Sequence, residues 1–245
     1  MKINFKYIGL GSCLLLMLAI SMLPGCGPDD PLLTPSRQVI ELEVPDHFPK
    51  PEIPADNPLT QAKIDLGKKL FFDPILSSDG TISCSSCHDP ALAFSDPRTV
   101  SLGVNDAPGE RNAMALFNLV YHQSFFWDGS NPMLETQALF PIEAEFEMNT
   151  PIDTAVARLR AKEEYQRLFQ IAFEDSISPK TLTYALSAYE RSLISAGSKY
   201  DKFVEAGFDS TMLSESEWRG YKLYFSEVPG VGHPECFHCH GGFNF

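Results

Sequence analysis

Apolar residues recur at three- and four-residue intervals in several stretches of the chain, and no stretch alternates convincingly in the two-residue rhythm of a half-buried strand. Ile64, Gly67 and Leu70 fall on one face of a helix that Asn57 and Pro58 are placed to open. Behind Thr150, Pro151 and Asp153, the residues Ile152, Val156 and Leu159 are in helical register. Ser178 and Pro179 precede a longer stripe of Leu182, Leu186, Tyr189 and Leu193. Ser214 and Glu217 have the spacing of a capping box ahead of Trp218, Tyr221 and Phe225. The pattern predicts an all-α fold whose helices are joined by long loops.

The amino-terminal segment has another rhythm. Lys2 and Lys6 lead into the apolar run "YIGLGSCLLLMLAISML", which ends at "LPGC". Residues 1–25 read as a signal peptide. The cysteine after Leu-Pro-Gly resembles the lipobox of bacterial lipoproteins, which would make Cys26 a lipidated first residue; the alternative is an ordinary signal peptide cleaved nearby. A membrane span fits less well, because the run is shorter than the ~20 residues needed and is followed by Pro and Asp. Residues 26–56, rich in Pro and Asp, read as a tether. The expected address is the periplasm, with a possible lipid anchor at Cys26.

With 245 residues, 44% of them hydrophobic, the chain can bury a sizeable core. Its formal charge of -13 argues against a nucleic-acid partner, whose phosphates it would repel. An acidic surface could instead steer a basic protein.

Of six cysteines, Cys13 and Cys26 belong to the export segment, which leaves Cys84, Cys87, Cys236 and Cys239. Four cysteines in an exported protein suggest two disulfides by default. Here each pair is written C-x-x-C-H, with His88 and His240 following at once. Positions i, i+3 and i+4 share one side of a helical turn, so two thiols and an imidazole face one object. Haem c fits: each thiol adds to a vinyl group and the histidine becomes an axial iron ligand. Zinc is the competing metal, but each motif would need a fourth ligand from elsewhere.

The segments "NPLTQAKIDLGKKLFFDPILSSDGTISCSSCHDPALAFSD", "GERNAMALFNLVYHQSFFWDGS", "LETQALFPIEAEFEM" and "ALSAYERSLIS" occur in this order. Together they resemble bacterial di-haem cytochrome c peroxidases and their MauG-like relatives, from about residue 55 to residue 245. The resemblance implies two helical c-type cytochrome domains meeting at a calcium site, with a peroxide-reacting haem in the first and an electron-transferring haem in the second. It implies that Trp127 lies between the haems, that Gln137 and Glu147 line the peroxide pocket with Pro141, and that Asn112 supplies a side-chain ligand to calcium. Glu147 suits a proton shuttle for cleavage of the O–O bond. Gln137 can orient peroxide or water, and Trp127 offers an oxidisable ring. Singly, these residues have plainer readings as a solvated carboxylate, a surface amide and a core aromatic.

The chain departs from the pattern twice. Many of these peroxidases carry a distal histidine in "S-x-G-H"; this chain reads "SLGVND", with Val104 at that position. Valine cannot ligate iron, so an open, five-coordinate first haem of the MauG-like kind is expected, with His122 as a possible substitute ligand. His47, His233 and His238 have no supporting context, and Met114, Met133 and Met148 read as core fillers. The second departure is that only five residues follow His240. The expected layout is a complete first domain over 57–205 and a truncated second domain over 206–245.

The resulting expectation is a peroxidase reducing hydrogen peroxide to water with electrons from a small c-type cytochrome or a cupredoxin. MauG-like oxidation of a protein substrate and a non-catalytic electron carrier are the alternatives, and a homodimer stays open.

Overall fold

The structure, a computed structural model, describes residues 37–225 and 236–243. The export segment, Cys13, Cys26, the first part of the stretch read as a tether and His233 lie outside the described residues. Eight α-helices occur among the described residues: α1 (Gln61–Phe72), α2 (Leu134–Gln137), α3 (Leu139–Glu143), α4 (Ile152–Arg160), α5 (Glu163–Ala172), α6 (Pro179–Arg191), α7 (Lys199–Glu205) and α8 (Glu215–Tyr224). Among the described residues, β structure is limited to isolated bridges, such as Asp89 with Ser95. The all-α expectation holds.

Helices α1 and α6 form the centre. Their backbones meet at Gly67, where a methyl group would stand 1.9 Å from the carbonyl oxygen of Ala185. The apolar face of α1 thus contains a glycine because a side chain there would push α6 away. Leu66, Leu70, Leu182 and Leu186 close the interface, and Leu159 from α4 and Phe169 from α5 complete the core. Ser178 caps α6 in a reciprocal box with Thr181 and has Pro179 behind it, as the sequence indicated. Leu193 falls just beyond the end of that helix.

Three local expectations are corrected. The cap of α1 is Thr60, whose hydroxyl oxygen accepts the amide of Lys63 at 3.3 Å. Asn57 is instead buried, its Nδ2 donating to Glu135 Oε1 (3.2 Å), the Tyr184 carbonyl (3.1 Å) and Ser187 Oγ (3.1 Å). The capping box of α8 is present, but its stripe stays out of the main core. Trp218 and Tyr221 pack instead around the buried ring of Phe203 on α7. From residue 37 onward, the stretch read as a tether lies along the domain. Arg37 Nε donates to the Ile171 carbonyl at 3.0 Å, the Ile40 amide reaches the Leu59 carbonyl at 2.9 Å, and Phe48 is buried.

His47, without context in the sequence, sits 3.3 Å from Asp201 and 3.2 Å from Glu205 of α7. Met133, read as a core filler, is exposed, whereas Met148 is buried in the core.

The Asn57 network joins the core to a buried ion pair, Arg191 Nη1 to Glu135 Oε1 at 2.8 Å. Burial alone would raise the Glu135 pKa, yet the hydrogen bond and charge of Arg191 hold it below the usual carboxylate range. Arg191→Leu removes one partner and leaves a buried carboxylate, so a loss of about 3–5 kcal/mol is expected from urea unfolding. An unchanged midpoint would contradict this account of the pair.

Candidate cofactor and active site

A cavity of about 400 Å³ opens beside α1 and α6, a volume within the ~300–1,000 Å³ range of cofactor pockets. Phe71, Leu116, Leu119, Phe125, Ile142 and Leu186 supply much of its apolar wall.

Cys84, Cys87 and His88 line it together. They are brought to one side by a single tight turn, in which the Cys84 carbonyl accepts the amides of Cys87 (3.2 Å) and His88 (3.0 Å). Burial holds both thiols above the ordinary cysteine range, the more so for Cys84. They are therefore protonated and form no disulfide. Burial likewise lowers the His88 pKa and keeps its ring neutral. Its Nδ1 lies 2.9 Å from the Phe94 carbonyl, an acceptor, so the ring proton belongs on Nδ1 and the lone pair on Nε2. Ala93 and Phe94, both in the left-handed region, make the turn that carries this carbonyl.

A second layer fixes the motif turn. Asp96 is buried and accepts Arg98 Nη2 at 2.6 Å and Ser101 Oγ at 2.9 Å, while Arg98 Nη2 also reaches the Ser86 carbonyl at 3.3 Å. The hydrogen bond from Arg98 holds the Asp96 carboxyl far below its ordinary pKa.

The loop residues singled out in the sequence reach the same cavity. Gln137 ends α2, Pro141 lies in α3, and Glu147 follows on the turn after it; all three line the space. Glu147 is half-buried, and burial raises its pKa. Its carbonyl accepts the Val104 amide at 2.9 Å. Gly103 beside it has no room for a side chain, since a methyl group would stand 2.2 Å from the Phe146 carbonyl oxygen. The segment carrying Val104 therefore clasps the backbone that presents Glu147. The Val104 side chain itself is buried and does not belong to the cavity wall.

Trp127 is 60% exposed at the cavity, so it is not the core aromatic of its plainer reading. Its Nε1 donates to the Asn112 carbonyl at 2.8 Å, and Asn112 Nδ2 donates to the Arg98 carbonyl at 2.9 Å. His122, stacked on Phe125, and Met114 also line the cavity. Burial lowers the His122 pKa and leaves its ring neutral.

The second motif repeats the local geometry of the first. The Cys236 carbonyl accepts the amides of Cys239 (3.2 Å) and His240 (2.8 Å). Cys236 is half-buried, Cys239 and His240 are exposed, and none of the three lines the first cavity. His238 is exposed, as expected for an intervening residue, with its ring against Phe237.

Among the described residues, no three His, Cys, Asp or Glu side chains converge to hold a metal ion. Two neutral thiols and a neutral imidazole spread along an apolar cavity suit a large planar ring carrying its own metal, not a tetrahedral zinc ion. A family model for di-haem cytochrome c peroxidases matches residues 61–208. The chain belongs to the di-haem cytochrome c peroxidase family. Among its relatives, the methylamine utilization protein MauG of Methylorubrum extorquens is 37% identical over 203 residues, covering 81% of this chain and 55% of that protein. The cytochrome c551 peroxidase of Nitrosomonas europaea is 35% identical, covering 78% of this chain and 54% of its own. A crystal structure of a MauG-like protein associated with microbial copper homeostasis superposes with a TM-score of 0.71 at 38% identity, over 82% of this chain and 57% of that one. The chain thus spans about half the length of the curated relatives it matches.

Haem c is the cofactor of this family, and the cavity fits it. Of the residues at the cavity, the sequence points to the motif and to Trp127, Gln137, Pro141 and Glu147. The Asp96–Arg98 brace and Glu190 are not among them, although Glu190 follows Leu182 and Leu186 at four-residue steps and is thereby marked as facing inward.

Proposed function

We propose that this chain carries the peroxide-reacting site of a di-haem peroxidase, which reduces hydrogen peroxide to two waters with two electrons from a small c-type cytochrome or cupredoxin and two protons. The observation that supports this most is that Cys84, Cys87 and His88 share one cavity with Trp127, Gln137 and Glu147. Bound haem supplies the redox chemistry at iron. Cys84 and Cys87 would hold the haem covalently, and His88 would ligate its iron through Nε2, which its Nδ1 hydrogen bond leaves available. Glu147, its proton affinity raised by burial, takes a proton from one peroxide oxygen and delivers it to the other. Gln137 orients the peroxide by hydrogen bonding, and Pro141 packs the pocket. The exposed ring of Trp127 receives electrons from outside the cavity.

Cys236, Cys239 and His240, on a turn of the same geometry, would hold a second haem, which would supply the entry point for electrons. The basic amino-terminal segment and Cys26 support a periplasmic, lipid-anchored protein. No described helix is long and apolar enough to cross a membrane. The Nδ2 of Asn112 points its amide at a carbonyl, which leaves Oδ1 as the atom suited to calcium.

MauG-like oxidation of a protein substrate is the second reading. Val104 favours it, because the residue expected to close the iron offers no ligand. Mass and metal analysis of the mature chain tests the proposal: two haems per chain are expected, with calcium that Asn112→Ala loses, and peroxide-dependent oxidation of a reduced small cytochrome. A chain with no haem overturns it. A ferric first haem that is high-spin as isolated, with peroxide oxidising a protein side chain and not the cytochrome, selects the second reading.

A further inference from the structure

Glu190 is a buried carboxyl of the cavity wall to which the proposed chemistry gives no task; Glu110 and Asp128, also on that wall, are exposed. It stands near the end of α6, 5% exposed, and its Oε2 is buried with no hydrogen-bond partner. An ionised carboxylate without partners is among the most expensive groups to bury. The buried ion pair nearby does not relieve it: Arg191 turns its Nη1 to Glu135, 2.8 Å away. Burial, tempered by Arg191 and reinforced by the charge of Glu135, pushes the Glu190 carboxyl up to about 8. It therefore carries its proton at neutral pH but can lose it within a modest rise.

The position of this acid gives the proton a use. When ionised, its charge acts on Cys84, the thiol that ties the haem edge to the protein. The other groups in its electrostatic surroundings are Arg191 and Tyr189 on its own helix and Glu135 on α2. Cys84 ceases to titrate once it is a thioether. Loss of one electron from the haem adds one positive charge within the cavity, which favours an anion on its wall.

Resting on the haem reading of this cavity, we propose that Glu190 is a redox-linked proton site, releasing its proton when the first haem is oxidised and taking one up when it is reduced. One electron passes to or from the donor protein, and one proton passes between Glu190 and solvent. By reciprocity, the ionised carboxylate stabilises the ferric haem as much as the ferric haem stabilises the carboxylate. Glu190 is a positioning charge, not a group that touches peroxide.

The test is a potentiometric titration of the first haem in the full mature chain, parent against Glu190→Gln, from about pH 6 to pH 10. Haem content, measured first, tests the cofactor reading separately. In the parent, the ferric form gains as pH rises through the Glu190 window, by up to about tenfold per pH unit. Glutamine is neutral at every pH. The variant should match the parent at the acid end and favour the ferrous form by about tenfold or more at the alkaline end. Equal pH dependence in parent and variant overturns the proposal, because propionates and other groups would then account for it. Should Glu190→Gln fail to retain haem, redox-induced infrared difference spectra of the parent and Glu190→Asp decide. A protonated-carboxyl band that appears on reduction and moves in the aspartate variant supports the assignment. Its absence in the parent overturns it.

Discussion

Glu147→Gln lowers peroxide-dependent turnover by about 10²- to 10⁴-fold while haem content and helicity stay at the parent level. Glutamine keeps the size and hydrogen bonding of the side chain but cannot cycle a proton. The backbone that presents it is held independently, by the Val104 amide on its carbonyl and by the close approach of Gly103, so the pocket should keep its shape. A solvated carboxylate would give almost no change, and the two outcomes are far apart. The pH profile adds a second signature. Glu147 must be ionised to accept a proton, and burial raises its pKa, so parent activity falls as pH drops through a value above the ordinary glutamate range. The glutamine variant should show no such acid limb. Turnover and pH profile equal to the parent's would remove Glu147 from the proton-transfer role.

Replacing Cys84 and Cys87 together by Ala abolishes covalent haem at the first site and leaves a chain that is weakly helical and readily cut by protease. The reason is volumetric. At roughly 24 cal/mol per Å³, a void of about 400 Å³ costs on the order of 10 kcal/mol, an upper bound because part of the space admits water. Domains of this size are stable by only about 5–15 kcal/mol in all. Phe71, Ile142 and Leu186 would line a hollow in place of packing on a ring. Circular dichroism and limited proteolysis of the double variant, beside the haem-loaded parent, measure the effect. A fully helical, protease-resistant protein without haem would show that the helices need no cofactor to hold them.

What can be read along the chain is what short-range hydrogen bonds and helical spacing control. The cap of α6 at Ser178, the box at Ser214 and Glu217, and the C-x-x-C-H turns at Cys84 and Cys236 each close within four residues, so the order of residue types specifies the geometry. The cofactor follows from the same local logic, since two thiols and an imidazole on one turn suit few partners. The spacing of Trp127, Gln137 and Glu147 carried meaning only through resemblance to a family, because a distance along a loop does not say where the loop goes.

Tertiary structure decided the remainder. Asn57 has the chemistry of a helix cap, but it lies buried with its amide on Glu135 of the buried ion pair, and Thr60 takes the cap. Residues 37–56 look like a tether by composition, yet main-chain bonds to Leu59 and contacts with α7 lay them on the domain. Glu190 lies on an apolar stripe, which marks it as inward-facing, but only the packed cavity leaves one of its oxygens without a partner beside the haem attachment site. Capping and turn formation depend on near neighbours, whereas the burial of a polar atom depends on what distant segments bring against it, and that is settled only when the whole chain has packed.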